Sequence, residues 1–555
     1  MIRFAALSCS AITAAIVGTA SFQPPASLFL PTHSSSSNTA QQPSLLSVFS
    51  SASSSSRIIR HHKTTLLRCS STHNSDSSSS STATTHDDHN DAQYQLEQKT
   101  WMFRDKYPIS YEVASIVDGA TTNNNSDDDD VITTTATTVP ILLLNGFGVG
   151  SFHQHRLMRQ LLIEQQQQQQ QQPQTRQNRY VIYGIDYLGQ GKSWPINPQD
   201  GNSPDEYQLG YSADTWLEQL ASFVQEVILS SSSTANDDDS TTTTTTTNNS
   251  SKQKSIHNTK VHLVGNSVGG YLATILTHRH PTLISSLTLL NATPVWGLNL
   301  PGWDGKLPAP SIPKAIGRQL FDVIRNENVI LQYLETAYVR REAFDGTFLD
   351  SFDGWGCKCR CIGTTTTNDD DDDDGLLLEQ GRGGESLGVK IRGCTEGNGG
   401  HAAFASILWS APASGISFYD ALQQVPVDVL LLFGGDDPWC TQAVGKRMHV
   451  TLASREEKRR RSSGDDDDDA AAPAAQRFVV LENVGHCPNH EAPSAVASVL
   501  IPWLNANDSE ERSVVRLDAQ GEIQEPWGEV LIREVSIEES KSLGFVDRVV
   551  SAMVG

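Results

Sequence analysis

Gly265-Asn266-Ser267-Val268-Gly269 places one hydroxyl between two glycines, after the apolar run VHLV and before the helix-compatible GYLATIL. A serine hydroxyl is a weak nucleophile near neutral pH. It attacks a carbonyl only where a base takes its proton and an acid orients that base. Small residues on either side permit the strained strand-to-helix turn that lifts such a hydroxyl above a sheet edge, at the positive end of a helix. The plainer alternative is that Ser267 is a helix N-cap, because the pattern G-x-S-x-G recurs by chance.

A nucleophile of this kind needs an acid and then a histidine further along the chain. VDVLLLFGGDDPW (427–439) sets Asp436 and Asp437 after an apolar run, and VVLENVGHCPNHEAP (479–493) sets His486 after the last one. His490 falls later in the same loop, whereas His86 and His89 lie in the N-terminal region. Asp437, directly before Pro438, is favoured as the orienting acid, with Asp436 as a solvated loop carboxylate. The developing oxyanion of an acyl transfer needs amide donors. The N–H of Val268, after the serine, is one, and LLLNGFGVGSFH (142–153) offers the second at Phe147. Together these residues describe a serine hydrolase that needs no metal and no organic cofactor.

The elements that must hold them alternate in type. PILLLN (140–145), YVIYGID (180–186), VHLVG (261–265), SLTLLNA (286–292), VDVLLLF (427–433) and RFVVLE (477–482) predict strands. RLMRQLLIE (156–164), DTWLEQLASFVQEVIL (214–229) and SAVASVLIPWLNA (494–506) predict helices. WMFRDKYPISYEV (101–113) and the pair at 131–132 predict an opening hairpin. Apolar strands separated by helices imply an α/β chain with a mostly parallel central sheet and helices on both faces. Residues 296–425 break the rhythm and are expected to form a cap inserted over the sheet's carboxyl edge. Gln165–Gln172 and the stretches near 230–259, 363–386 and 455–475 lack apolar periodicity and are expected to be disordered insertions.

Composition excludes several classes. The net charge of −23 in 555 residues comes mostly from four runs, Asp127–Asp130, Asp237–Asp239, Asp369–Asp374 and Asp465–Asp469. Such blocks repel and stay solvated. No basic face offers itself to a nucleic acid. Eight cysteines without a regular framework fit a mostly reducing compartment. Cys357, Cys359, Cys361 and Cys394 are spaced too tightly for the usual zinc pattern and fit reduced thiols better. Residues 1–21, with a short apolar run ending in Thr19-Ala20-Ser21, are expected to be a signal peptide. Residues 22–95 begin at Phe22, are rich in Ser and Thr, and carry Arg57, Arg60, Lys63 and Arg68. The combination resembles the two-part plastid address of algae with secondary plastids. No other stretch has the length of a membrane helix, so the mature protein is expected to be soluble or peripheral.

Certain stretches are more specific than the elbow alone. NGFGVGSFH (145–153), YGIDYLGQGKSWP (183–195), VGNSVGGYLA (264–273), LTLLNATPVWG (287–297), AAFASILWSAP (402–412), DDPW (436–439) and GHCPNHEAP (485–493) resemble the α/β-hydrolase superfamily and, within it, the pheophytinase family of plants and algae. The resemblance covers roughly 96–510 and leaves 511–555 as a C-terminal extension without an assignable role. It implies an α/β-hydrolase fold with Ser267 as nucleophile, His486 as base and then acid, and Asp437 as its orienter. It also implies hydrolysis of the phytyl ester of pheophytin in plastids, with peripheral contact at the thylakoid membrane. Trp194, Trp296, Trp303 and Trp409 are candidates to line an apolar ester pocket, with core packing as the alternative for each. Asn145 departs from the histidine that the superfamily often carries there. Two other readings share these residues: a plastid lipase or carboxylesterase acting on chlorophyll or galactolipid, and a hydrolase-fold ligand-binding protein without turnover. Nothing in the sequence sets an oligomeric state.

Overall fold

The computed structural model describes residues 94–116, 137–171, 178–194, 212–230, 260–296, 319, 322–344, 386–395, 412–463, 474–517, 521–542 and 544. Residues 1–93 of the expected signal and transit segments, the pair at 131–132, Cys357, Cys359, Cys361, Trp303 and Trp409 lie outside these residues, whereas 94 and 95, expected to end the transit segment, begin the first strand.

One sheet of ten strands organises the chain, in the order β1-β2-β4-β3-β5-β6-β7-β8-β10-β9. β1 (Tyr94–Phe103) and β2 (Tyr107–Ile116) form the opening hairpin, turning through Arg104 and Asp105 at φ 53° and 54°. β3 (Thr137–Leu144), β4 (Asn178–Ile185), β5 (Val261–Asn266), β6 (Ile284–Leu290), β7 (Asp428–Gly434) and β8 (Gln476–Glu482) run parallel at the centre. Every residue of β5 and β7 is buried, as expected of parallel strands covered on both faces.

Alternation along each strand divides the core. Leu142, Leu144, Leu263, Leu289, Leu431, Phe433 and Phe478 face one cluster. Their neighbours Ile141, Leu143, Val264, Leu290, Leu430, Leu432 and Val479 face the other. α1 (His155–Gln171) contributes Leu157, Met158, Leu161 and Leu162 to the second cluster. α2 (Ala213–Phe223), capped by Ser212, continues as a π-helical turn and contributes Trp216 and Leu220 to the first. α3 (Val268–Arg279) lies on that same side.

Within the expected cap, α4 (Glu327–Ala337) and α5 (Leu387–Gly393) build a third, smaller cluster from Ile330, Leu334, Tyr338, Phe344 and Leu387. α6 (Phe418–Gln424) does not belong to it. Its Phe418, Ala421 and Leu422 are buried in the first sheet cluster, so residues 412–425 form part of the sheet's own helical layer.

Three further segments differ from expectation. The glutamine run is helical to Gln171, because glutamine is a good helix former continuing an anchored helix. Gln165 is buried there, donating to Asn178 O at 2.9 Å and accepting from Tyr180 N at 3.1 Å. α7 (Gln442–Ser463) likewise runs into the charged block. Beyond α8 (Pro488–Glu491) and α9 (Pro493–Asn505), the C-terminal residues are part of the fold. α10 (Ser509–Val514) is tied to the start of β7 by a buried ion pair, Arg512 Nη1 to Asp428 Oδ2 at 2.7 Å. β10 (Gly528–Glu534) then extends the sheet antiparallel to β8, β9 (Glu522–Glu525) pairs antiparallel with β10 at the sheet's edge, and α11 (Ile537–Lys541) follows.

Candidate active site

β5 leads directly into Ser267, whose φ of 55° and ψ of −120° mark a sharp turn into α3. Such a backbone is costly for a residue with a side chain and persists only where its surroundings impose it. Here they do. Ser267 N donates to Leu290 O at 3.1 Å, and Ser267 O accepts from Thr293 N at 3.1 Å. The flanking glycines are required by contact. A Cβ on Gly265 would stand 2.5 Å from Gly269 O, and one on Gly269 would stand 2.5 Å from Leu144 O.

Asp437 follows β7 and is 3% exposed. Its Oδ2 accepts from His486 Nδ1 at 2.7 Å and from Asn291 Nδ2 at 2.7 Å, and its Oδ1 accepts from Trp439 N at 2.7 Å. Burial alone would raise this carboxyl. The facing His486 and the amides of Trp439 and Cys440 outweigh it and hold the group below its ordinary value of 3.8. A charged Asp437 keeps the proton of His486 on Nδ1 and leaves Nε2 as the basic nitrogen. Asp436 is exposed, and its Oδ2 accepts from Asn483 N at 3.0 Å; it is a loop carboxylate.

The histidine loop is held from two sides. His486 N donates to Ala337 O at 2.7 Å, at the end of α4. His486 O accepts from Asn266 Nδ2 at 3.0 Å, the residue next to Ser267. The structure therefore brings Asp437 and His486 into direct contact and joins Ser267 to them through Asn266. Among the described residues, Ser267 Oγ and His486 Nε2 make no hydrogen bond. Serine–histidine bonds of this kind are often loose without substrate.

The loop after β3 lies over the elbow. A Cβ on Gly146 would be 3.4 Å from Ser267 Cβ and 3.8 Å from its Oγ. Asn145 shapes this loop by donating Nδ2 to Val149 O at 2.6 Å, and Gly148 N donates to Gln190 Oε1 at 2.8 Å. Phe147 sits in the turn, half-buried against the first cluster, and Val268 opens α3, where an N–H lacks an intrahelical acceptor.

Trp296 is 2% exposed and packs in the first cluster with Trp216 and Tyr271, both at 5.4 Å between ring centres. Trp194 is half-buried and donates its indole N–H to Gly191 O. Trp439 stands edge-on to His486 at 4.9 Å. Sequence reasoning missed it, although it stands in the DDPW stretch. It also missed Asn291, whose place at the end of the apolar run SLTLLN was the available signal; in the structure its φ is 41°.

Cys440 is buried beside the pair, and its Sγ with the facing atoms of Asp437 and His486 falls within 4.8 Å, close enough for a metal. Those two residues already turn those atoms to each other, and burial pushes the Cys440 thiol well above its ordinary range. Cys394, Cys440 and Cys487 are free thiols.

Comparison with known proteins shows the family of the fold. The family model described as "Alpha/beta hydrolase family" matches residues 141–499. The chain is 24% identical over 397 residues to "Pheophytinase, chloroplastic" of Arabidopsis thaliana, covering 66% of this chain and spanning 62% of that relative's length. Among solved structures it is similar to an esterase from Exiguobacterium antarcticum, with 15% identity, 74% of this chain, 99% of that chain and a TM-score of 0.40. It is also similar to a thermophilic esterase from Thermogutta terrifontis, with 14% identity, 74% of this chain, 98% of that chain and a TM-score of 0.39. Since the family model spans well over half of the chain, this protein belongs to the alpha/beta hydrolase family.

Proposed function

We propose that this chain is a serine carboxylic-ester hydrolase that removes phytol from pheophytin, leaving pheophorbide. The observation that carries the reading is the 2.7 Å bond between Asp437 and His486 in a loop tied by Asn266 to the strained Ser267. His486 Nε2 takes the Ser267 proton as Oγ attacks the ester carbonyl. The N–H groups of Phe147 and Val268 stabilise the oxyanion. The alcohol leaves with the proton from His486, and water, deprotonated by the same nitrogen, releases the acid. The chemistry asks for no cofactor.

Support for the pigment ester comes from the similarity to the Arabidopsis pheophytinase and from the family-specific stretches around Gly146, Asn291 and Asp437. The plastid location rests on the same relative and on the composition of residues 1–95. Among the described residues no helix is long and apolar enough to cross a membrane; in this reading the contact with thylakoid lipid is peripheral.

The test incubates the full chain and Ser267→Ala with pheophytin a, chlorophyll a, a galactolipid and a short chromogenic ester, following released phytol by chromatography. Pheophytin cleavage well above chlorophyll cleavage, abolished in Ser267→Ala, is the expected result. Cleavage of the short ester alone would retain the triad and reject the pigment. Pigment binding without hydrolysis of any ester would reject the enzyme.

A further inference from the structure

Below the histidine loop lies a carboxylate that the proposed chemistry does not use. Glu491 is fully buried. Its Oε1 accepts from Val339 N at 2.8 Å and Arg340 N at 2.9 Å, where the chain leaves α4. Its Oε2 accepts from Gly485 N at 2.7 Å, one residue before His486. The two segments also touch directly. His486 N bonds Ala337 O at 2.7 Å, and a Cβ on Gly485 would stand 2.1 Å from that same oxygen. One side chain therefore staples the end of a cap helix to the base of the histidine loop. Only a carboxylate suits the task, because three amide N–H groups converge on two oxygens, and a neutral amide would present a donor to one side.

Glu491 is held in turn by the C-terminal hairpin, beyond the stretch that the family model matches. Trp527, in the turn between β9 and β10, donates Nε1 to Glu491 O at 2.6 Å and packs on the cap cluster. Arg340, whose N–H meets the Glu491 carboxylate, sends Nη2 to Glu529 O on β10. Buried Glu525, ending β9, accepts from Ser494 N at 2.8 Å and Ala495 N at 2.9 Å, where α9 begins after the histidine loop. Cap, histidine loop and hairpin meet at one residue.

We propose that Glu491 is a positioning residue for His486, and that the C-terminal hairpin braces it through Trp527. The inference rests on the serine-hydrolase reading, since it concerns how His486 reaches Ser267.

A fluorophosphonate tests it without knowledge of the ester. Ser267 Oγ would attack phosphorus, fluoride would leave, and His486 would take the serine proton. The saturating rate constant, half-saturating concentration and labelled fraction are measured for the full chain, Glu491→Gln, Trp527→Phe and Ser267→Ala. Glu491→Gln is expected to lower the saturating rate by about tenfold to a hundredfold, the loss caused by a misplacement on the order of 1 Å. The labelled fraction and half-saturation should stay unchanged. Trp527→Phe, which keeps a smaller aromatic ring and removes the donor, should slow labelling severalfold.

A wild-type rate in Glu491→Gln overturns the inference while leaving the hydrolase reading intact. So does a loss confined to the labelled fraction, which marks partial unfolding. Should Glu491→Gln fail to fold, Trp527→Phe decides, and a wild-type rate there overturns the brace. A wild-type chain that no fluorophosphonate labels removes both readings.

Discussion

The sheet and the cap are held in different ways. β5 and β7 are buried along their whole length, with neighbours above, below and on both sides. The described cap helices bury a narrow stripe, Ile330, Leu334 and Ala337 on α4 and Leu387 and Gly388 on α5. The groups assigned to bond-breaking sit at the ends of sheet strands, where backbone position is dictated by many contacts. The cap reaches them through a few polar contacts, chiefly His486 N to Ala337 O and the Glu491 carboxylate. The proposed chemistry is anchored in the dense layer, and the cap helices are hung on it at a small number of joints.

That contrast can be broken in three ways. The largest effect should come from Asp437→Asn, which leaves the sheet intact and removes the charge that fixes the His486 tautomer. A fall in kcat on the order of 10⁴ is expected with a short chromogenic ester, from a chain that still folds at pH 7 with a modestly lowered unfolding temperature. A loss of less than tenfold would take Asp437 out of the proposed triad.

Next are two cavity substitutions of equal chemistry. Leu431→Ala, in the sheet core, should destabilise the chain by about 2–5 kcal/mol in chemical denaturation. Leu334→Ala, in the smaller cap cluster, should fall at or below the bottom of that range and change the ratio of pigment to short-ester hydrolysis. Equal losses of stability would erase the distinction between the two layers.

The smallest effect is on pH. Asp437 is held below its ordinary value in the fold, so its contribution to stability is present above about pH 4 and lost as the pH falls through the folded value. The difference in unfolding temperature between wild type and Asp437→Asn should therefore narrow between pH 7 and pH 3. A difference constant with pH would show that the charge on Asp437 contributes nothing to stability.

The turn at Ser267 and the placing of Asp437 and His486 after strands were legible in the sequence, because each follows an apolar run and the turn needs glycines of its own. The choice of Asp437 over Asp436 agrees with the burial of the first and exposure of the second. Composition misled at the glutamine run, where α1 continues because its preceding turns are anchored in the core. It was silent at β9 and β10, short strands whose partner β8 had to exist first. Trp296 looked like a pocket residue as readily as a core residue, and its rings pack in the core.

The sequence by itself determined the alternation of strands and helices, the parallel sheet and the position of the serine turn, because these follow from local periodicity and local sterics. Which amide meets which carboxylate was decided only by the tertiary structure. Glu491 and Val339 are 152 positions apart, and Asn291 and Asp437 are 146 apart. No local pattern encodes such a pair, because its strength depends on the low dielectric of a finished core, which strengthens the bond and makes either group costly to leave unpaired.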